Sequence, residues 1–134
     1  MKNKITDILR LKIYYEDTDA SGIVYHSKYL NFAERGRSDF LRKFNLTNSN
    51  VMDKYAIRFV VKKLTINYLS YAILDDNLII KTEVSKLSKV RLIFKQAIFK
   101  NKNKITELLV EVCSTYKDGK VARIPNDIYY ELIN

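Results

Sequence analysis

The chain has 134 residues, 47% hydrophobic and 29% charged, which suits one globular domain over 1–134 that buries its own core. A single cysteine, Cys113, excludes an intramolecular disulfide and a cysteine-built metal cage, and favours a reducing, cytoplasmic setting in which it is a buried, inert thiol. The 24 Lys and Arg against 15 Asp and Glu leave +9, a charge that attracts any polyanion and equally fits a plain bias toward Lys, Asn and Ile.

The N-terminal "MKNKITDILRLKIYYED" has positive charge but no apolar stretch of the kind a secretory leader carries. No run of about 18 apolar residues appears, so no membrane-spanning helix is expected; contact with a membrane surface is left open. Leu9 to Glu16 reads as a first strand, and a turn follows it. Tyr25, Tyr29, Phe32, Ala33, Gly36 and Phe40 then recur at three- and four-residue steps, which predicts a helix over His26 to Phe44 with one apolar face. Gly36 inside that helix costs up to ~1 kcal/mol relative to Ala, a cost that close approach to a sheet would explain. A shorter helical piece fits Ser49 to Tyr55.

From there the period changes to two. Leu64, Ile66 and Tyr68, then Leu78 and Ile80 leading to Thr82 and Val84, then Val90, Leu92 and Phe94, then Leu108, Val110 and Val112 alternate with polar neighbours, as half-buried strands do. The breaks hold turn residues: Asp75 to Asn77, Lys100 to Lys104, and Asp118-Gly119, a strong hairpin signal. Strand, helix, then four or five consecutive strands makes an α+β fold, an antiparallel sheet with one face buried by a helix.

The junction "YYEDTDASGIVYHSKYLNFAER" concentrates two aspartates, the only histidine and one of three glycines. Ser21-Gly22 supplies a flexible turn, and a helix start leaves unpaired N–H groups near Val24 to His26, where a developing negative oxygen is stabilised. A loop carboxylate facing that spot is the minimum equipment for acyl transfer. Each residue also has a plainer reading. Asp is favoured at turns and helix caps, a lone His near a helix start is usually a surface group, and Tyr15 is one of ten tyrosines. Asp17 is assigned to the turn. Glu34, eight residues beyond His26 and so about 12 Å further along a helix, is expected in an ion pair or a contact between subunits.

Tyr15, Asp17-Thr18-Asp19, Gly22, Val24-Tyr25-His26, Tyr29 and Glu34-Arg35 together resemble the signature of the hotdog-fold acyl-CoA thioesterases of the 4-hydroxybenzoyl-CoA thioesterase superfamily. The branch it is most similar to is the bacterial one associated with the Tol-Pal system. The resemblance extends to about Ile124. It implies a five- or six-stranded antiparallel sheet wrapped around one long helix, and a homodimer or homotetramer with its sites between subunits. It further implies that Asp19 is the catalytic carboxylate and that the His26 amide polarises the acyl oxygen, with the His26 imidazole and the Tyr15 hydroxyl nearby. Gly22, Val24 and Tyr25 would line the substrate. Lys86, Lys89 and Arg91 in "SKLSKVR" would meet coenzyme A phosphates, although lysines guarding a strand edge are an equal explanation.

The implied reaction is hydrolysis of acyl-CoA, of short to medium chain, to a free acid and CoA, with no metal and no cofactor beyond the CoA of the substrate. Two alternatives are hydrolysis of acyl carrier protein thioesters and a non-catalytic acyl-CoA-binding subunit near the envelope. Nucleic-acid binding rests on charge alone, with no recognised motif. Enoyl-CoA hydration on the same fold would need paired Asp and His in another context, which this chain lacks.

Overall fold

The computed structural model describes residues 5–133; Lys2 and Lys4 of the basic N-terminal stretch lie outside them. In chain order the elements are β1 (Thr6–Lys12), α1 (Lys28–Arg42), α2 (Asn48–Tyr55), β2 (Ile57–Tyr68), β3 (Asn77–Leu87), β4 (Arg91–Lys100), β5 (Asn103–Tyr116) and α3 (Asn126–Ile133). The strands form one sheet in the order β1-β3-β4-β5-β2, every neighbouring pair antiparallel.

The period-two pattern selects the inner face. Leu78, Ile80, Thr82 and Val84 on β3 stand beside Leu92, Phe94, Gln96 and Ile98 on β4 and Thr106, Leu108, Val110 and Val112 on β5, all buried. Register irregularities in β2 between Val61 and Lys63, and in β3 between Val84 and Lys86, add the local bend that lets a sheet curve around a helix.

Against that face lies α1, which buries Tyr29, Phe32, Ala33, Gly36, Phe40 and Leu41. The glycine is where helix and sheet meet most closely. A Cβ on Gly36 would sit 2.8 Å from Ile80 Cγ2, 2.8 Å from Thr82 Oγ1 and 3.0 Å from Gln96 Nε2. The buried Gln96 completes the contact: its Nε2 donates to the Ala33 carbonyl at 2.8 Å and to Thr82 Oγ1 at 2.9 Å, while its Oε1 accepts from Arg37 Nη1 at 3.0 Å. Every polar atom of that amide thus has a partner, as burial demands.

Three boundaries differ from the sequence reading. The first strand ends at Lys12, not Glu16, because the Asp17 carboxylate accepts the Tyr14 N–H at 2.9 Å and turns the chain out of the sheet. The long helix starts at Lys28, which leaves Tyr25 outside it and exposed rather than on the buried face. The Asp118-Gly119 turn forms, with Gly119 at φ +88°, but its second arm makes a single bridge from Val121 to Thr115. The sheet therefore has five strands.

The third helix went unforeseen although it had a signal. Pro125 stands at its start, Asp127 in its first turn, and Ile128 and Leu132, four apart, form its buried side. Cys113 is partly exposed rather than buried. No helix among the described residues is long and apolar enough to cross a membrane.

Candidate active site at the start of the long helix

The segment between β1 and α1 folds as a closed loop. Thr18 bridges Val24, the Asp19 N–H donates to the Ile23 carbonyl at 2.9 Å, and the Gly22 N–H returns to the Asp19 carbonyl at 3.0 Å. Gly22 adopts φ +84°, a left-handed conformation in which a side chain would be strained. The turn carries Asp19 to a position paired with Ile23, three residues ahead of His26.

Asp19 has the local bonding of a turn residue. Its Oδ1 accepts from the Ser21 N–H at 2.8 Å and from Ser21 Oγ at 2.5 Å, the local bonding expected of a turn aspartate. Those Ser21 bonds, the hydroxyl first, hold its carboxyl below the usual aspartate range, so it is ionised at neutral pH. Its Oδ2 has no hydrogen-bond partner among the described residues and keeps its lone pairs available. Asp17 is the turn residue expected of it, 7% exposed and committed to Tyr14.

Of the amides expected to be free, two are occupied. The Val24 N–H donates to the Ala72 carbonyl at 2.9 Å and the Tyr25 N–H to the Asp17 carbonyl at 3.0 Å. The His26 N–H meets no acceptor among the described residues. Its direction is set by the other side of its own peptide: the Tyr25 carbonyl accepts from the Lys28 N–H at 2.9 Å. In a trans peptide the carbonyl and the N–H point opposite ways, so the His26 N–H faces away from the first helical turn. An ionised carboxylate and an unpaired, fixed amide donor on one short loop are what acyl transfer requires.

The remaining residues separate into three groups. Tyr25 and His26 are exposed neighbours with ring centroids 4.5 Å apart, whereas Val24 is 3% exposed, so what it gives the site is a backbone anchor. Tyr15 is 82% exposed and its hydroxyl makes no hydrogen bond among the described residues. Lys86, Lys89 and Arg91 are at the opposite end of the sheet. β3 starts beside the loop, where the Ile13 N–H donates to the Asp76 carbonyl, and runs 11 residues away from it, roughly 30 Å at strand rise. One chain does not bring these cations to Asp19. There Lys89 Nζ lies 3.9 Å from the Tyr129 ring centroid and Arg91 pairs with Glu111 at 3.2 Å, while Lys86 is exposed. Glu34 accepts from Ser38 Oγ at 2.8 Å, and no ion pair of Glu34 is formed among the described residues.

One residue that the sequence reading placed only in a strand pattern belongs here. Tyr68 closes β2 and donates its hydroxyl to the His26 carbonyl at 2.9 Å. Its ring stands edge-on to His26 at 6.5 Å and to Tyr29 at 5.6 Å, and the Tyr29 hydroxyl accepts from the Ala72 N–H. A tyrosine ending an alternating run, apolar body inward and polar tip outward, was the available signal.

Residues 21–107 match the family described as Thioesterase superfamily. The chain is 38% identical over 119 residues to the acyl-CoA thioesterase YbgC of Haemophilus influenzae, covering 88% of each chain. It is also 38% identical over 124 residues to the acyl-CoA thioester hydrolase YbgC of Escherichia coli, covering 90% of this chain and 91% of that one. A probable thioesterase from Bartonella henselae superposes with a TM-score of 0.87 at 35% identity, covering 90% of this chain and all of that one. The chain belongs to the thioesterase superfamily and has its hotdog fold.

Proposed function

We propose that this protein hydrolyses acyl-CoA thioesters to a carboxylic acid and free CoA at the start of α1. The observation that carries the reading is the pairing of an ionised Asp19, one oxygen free, with the fixed and unpaired His26 N–H. The thioester oxygen accepts from that N–H. Asp19 then takes a proton from a water whose oxygen bonds to the acyl carbon. The tetrahedral oxyanion collapses, the C–S bond breaks, and the CoA thiolate takes up the proton. Direct attack by Asp19 would instead pass through a mixed anhydride, opened afterwards by water. Written either way, the reaction uses only side chains, backbone and water, with CoA as part of the substrate. The His26 imidazole and the Tyr15 hydroxyl are assigned to positioning water or the thioester.

We further propose that two copies join through β2. This twelve-residue strand ends the sheet and exposes Val60 and Val61. Two-fold antiparallel pairing sets the Tyr68 end of one β2 beside the Ile57 end of the other. Ile57 lies opposite Tyr116, and Arg91 opposite Cys113 of the same strand, so the end carrying Lys86, Lys89 and Arg91 in one copy comes to the Asp19 loop of the other. The distance that separates them in one chain would then be the route by which CoA phosphates find cations. Such an assembly would work in the cytoplasm, and its basic surface would also admit an acidic acyl carrier protein.

The test is thiol release from a panel of CoA thioesters, each repeated with the same acyl group on a carrier protein. Turnover on CoA substrates with loss of about 10²-fold or more in kcat for Asp19→Asn at unchanged circular dichroism is the expected result. Near-normal turnover in Asp19→Asn would remove the assignment. For the assembly, light scattering should show a dimer or tetramer that Val60→Asp converts to monomer.

A further inference from the structure

The His26 N–H has a neighbour. The Ser27 N–H also meets no acceptor among the described residues, and Ser27 is helical in conformation, with φ −71° and ψ −19°. Successive N–H groups at the start of a helix point toward the same side, so the two amides form adjacent donors. Each donor is aimed by whatever holds the carbonyl on its own peptide. For His26 the holder is the Lys28 backbone N–H. For Ser27 it is the Tyr68 hydroxyl, 2.9 Å from the His26 carbonyl. Of these two anchors only the second is a side chain, and it comes from 42 residues away, at the end of β2.

We propose that Tyr68 is a positioning residue: its hydroxyl fixes the His26–Ser27 peptide so that the Ser27 N–H joins that of His26 on the thioester oxygen. The proposal rests on the reading of the His26 amide given above and adds a second donor and the group that aims it. A hydrogen bond accepted by one end of a peptide also polarises its other end, which strengthens the Ser27 N–H as a donor. The Tyr68 hydroxyl stays protonated, since partial burial raises it above the ordinary tyrosine value. The ring edges against His26 and Tyr29 keep the side chain in place when the hydroxyl is removed, so Tyr68→Phe isolates the one bond.

The effect belongs to the transition state, where charge gathers on the oxygen, and not to ground-state binding. For Tyr68→Phe, kcat should fall roughly threefold to tenfold, the scale of one hydrogen bond. KM and Tm should be nearly unchanged. An S-alkyl-CoA thioether, which has the sulfur and chain but no carbonyl, should inhibit wild type and variant equally. An unchanged kcat overturns the proposal. So does a thioether inhibition constant that weakens in step with kcat, because Tyr68 would then shape the pocket and not the donors. If the unaltered protein releases no thiol from any CoA thioester, the parent reading fails and takes this one with it; turnover by wild type with an indifferent Tyr68→Phe sinks this one alone.

Discussion

The two ends of the sheet hold polar residues in different states. Where β1, the loop and α1 meet, local bonds absorb most of the polar groups but stop short of the Asp19 Oδ2 and the His26 and Ser27 amides. At the other end several charges have partners within the chain. Lys89 lies over the Tyr129 ring, Arg91 pairs with Glu111, and Asp127 of α3 accepts from the Tyr55 hydroxyl of α2. The first end leaves polar groups without partners, while the second ties several of its charges to the chain's own elements. Net charge alone would have ranked them the other way, since the cations gather at the far end and the loop holds acids and one histidine.

Substitutions can break or sharpen that contrast. The largest expected difference is between Asp19→Asn, which should lose about 10²-fold or more in kcat, and Lys89→Ala, which should leave kcat intact and raise KM by a few fold at most if a second copy supplies that lysine. Steady-state kinetics on one CoA thioester decides it, and equal kcat losses would erase the distinction between the ends. Gly36→Ala comes next and touches the platform beneath both. Its methyl would press on Ile80 and Thr82 at 2.8 Å, an overpacking cost of about 1–3 kcal/mol that a denaturant titration would read. Tyr129→Leu should cost about 0.5–1 kcal/mol of stability through the lost cation–π contact with Lys89, with turnover unaffected.

The smallest effect is a pH shift. Because the Ser21 bonds hold the Asp19 carboxyl below its ordinary value, its ionised form persists into acid, and activity depending on that form fails only as pH falls through the lowered value. Ser21→Ala removes the first of those bonds and raises the carboxyl toward the ordinary range. The acid limb of kcat/KM should therefore move to higher pH, with the plateau unchanged. A limb that stays in place would mean another group sets it.

Much of this was legible before any coordinates. Alternation of two in the strands and of three and four in the helix reports which face is buried, and burial decides the fold. Gly36 was readable because a mid-helix glycine is costly enough to need a reason. Features set by individual hydrogen bonds, which no hydrophobic period reports, were not readable. Tyr14, Tyr15 and Glu16 carry strand-compatible side chains, and only the Asp17 carboxylate beneath them ends β1. The occupied amides of Val24 and Tyr25 depend on Ala72 and Asp17, and the Tyr68 bond on a strand that begins 31 residues after His26, so no local pattern announces them. The distance of "SKLSKVR" from Asp19 within one chain was hidden for a different reason. Strand direction in an antiparallel sheet fixes which turns share an end, and similarity of charge says nothing about that.

The Gln96 amide has a bearing on catalysis that its burial conceals. With both donors taken by Ala33 and Thr82 and its oxygen by Arg37, the group cannot turn over without placing like atoms face to face. It works as a key that admits α1 at one depth and one rotation only. A helix free to slip by a fraction of a turn would carry its leading amides past the acid, so the accuracy of the chemistry depends on a strand glutamine that grips the helix at Ala33 and Arg37.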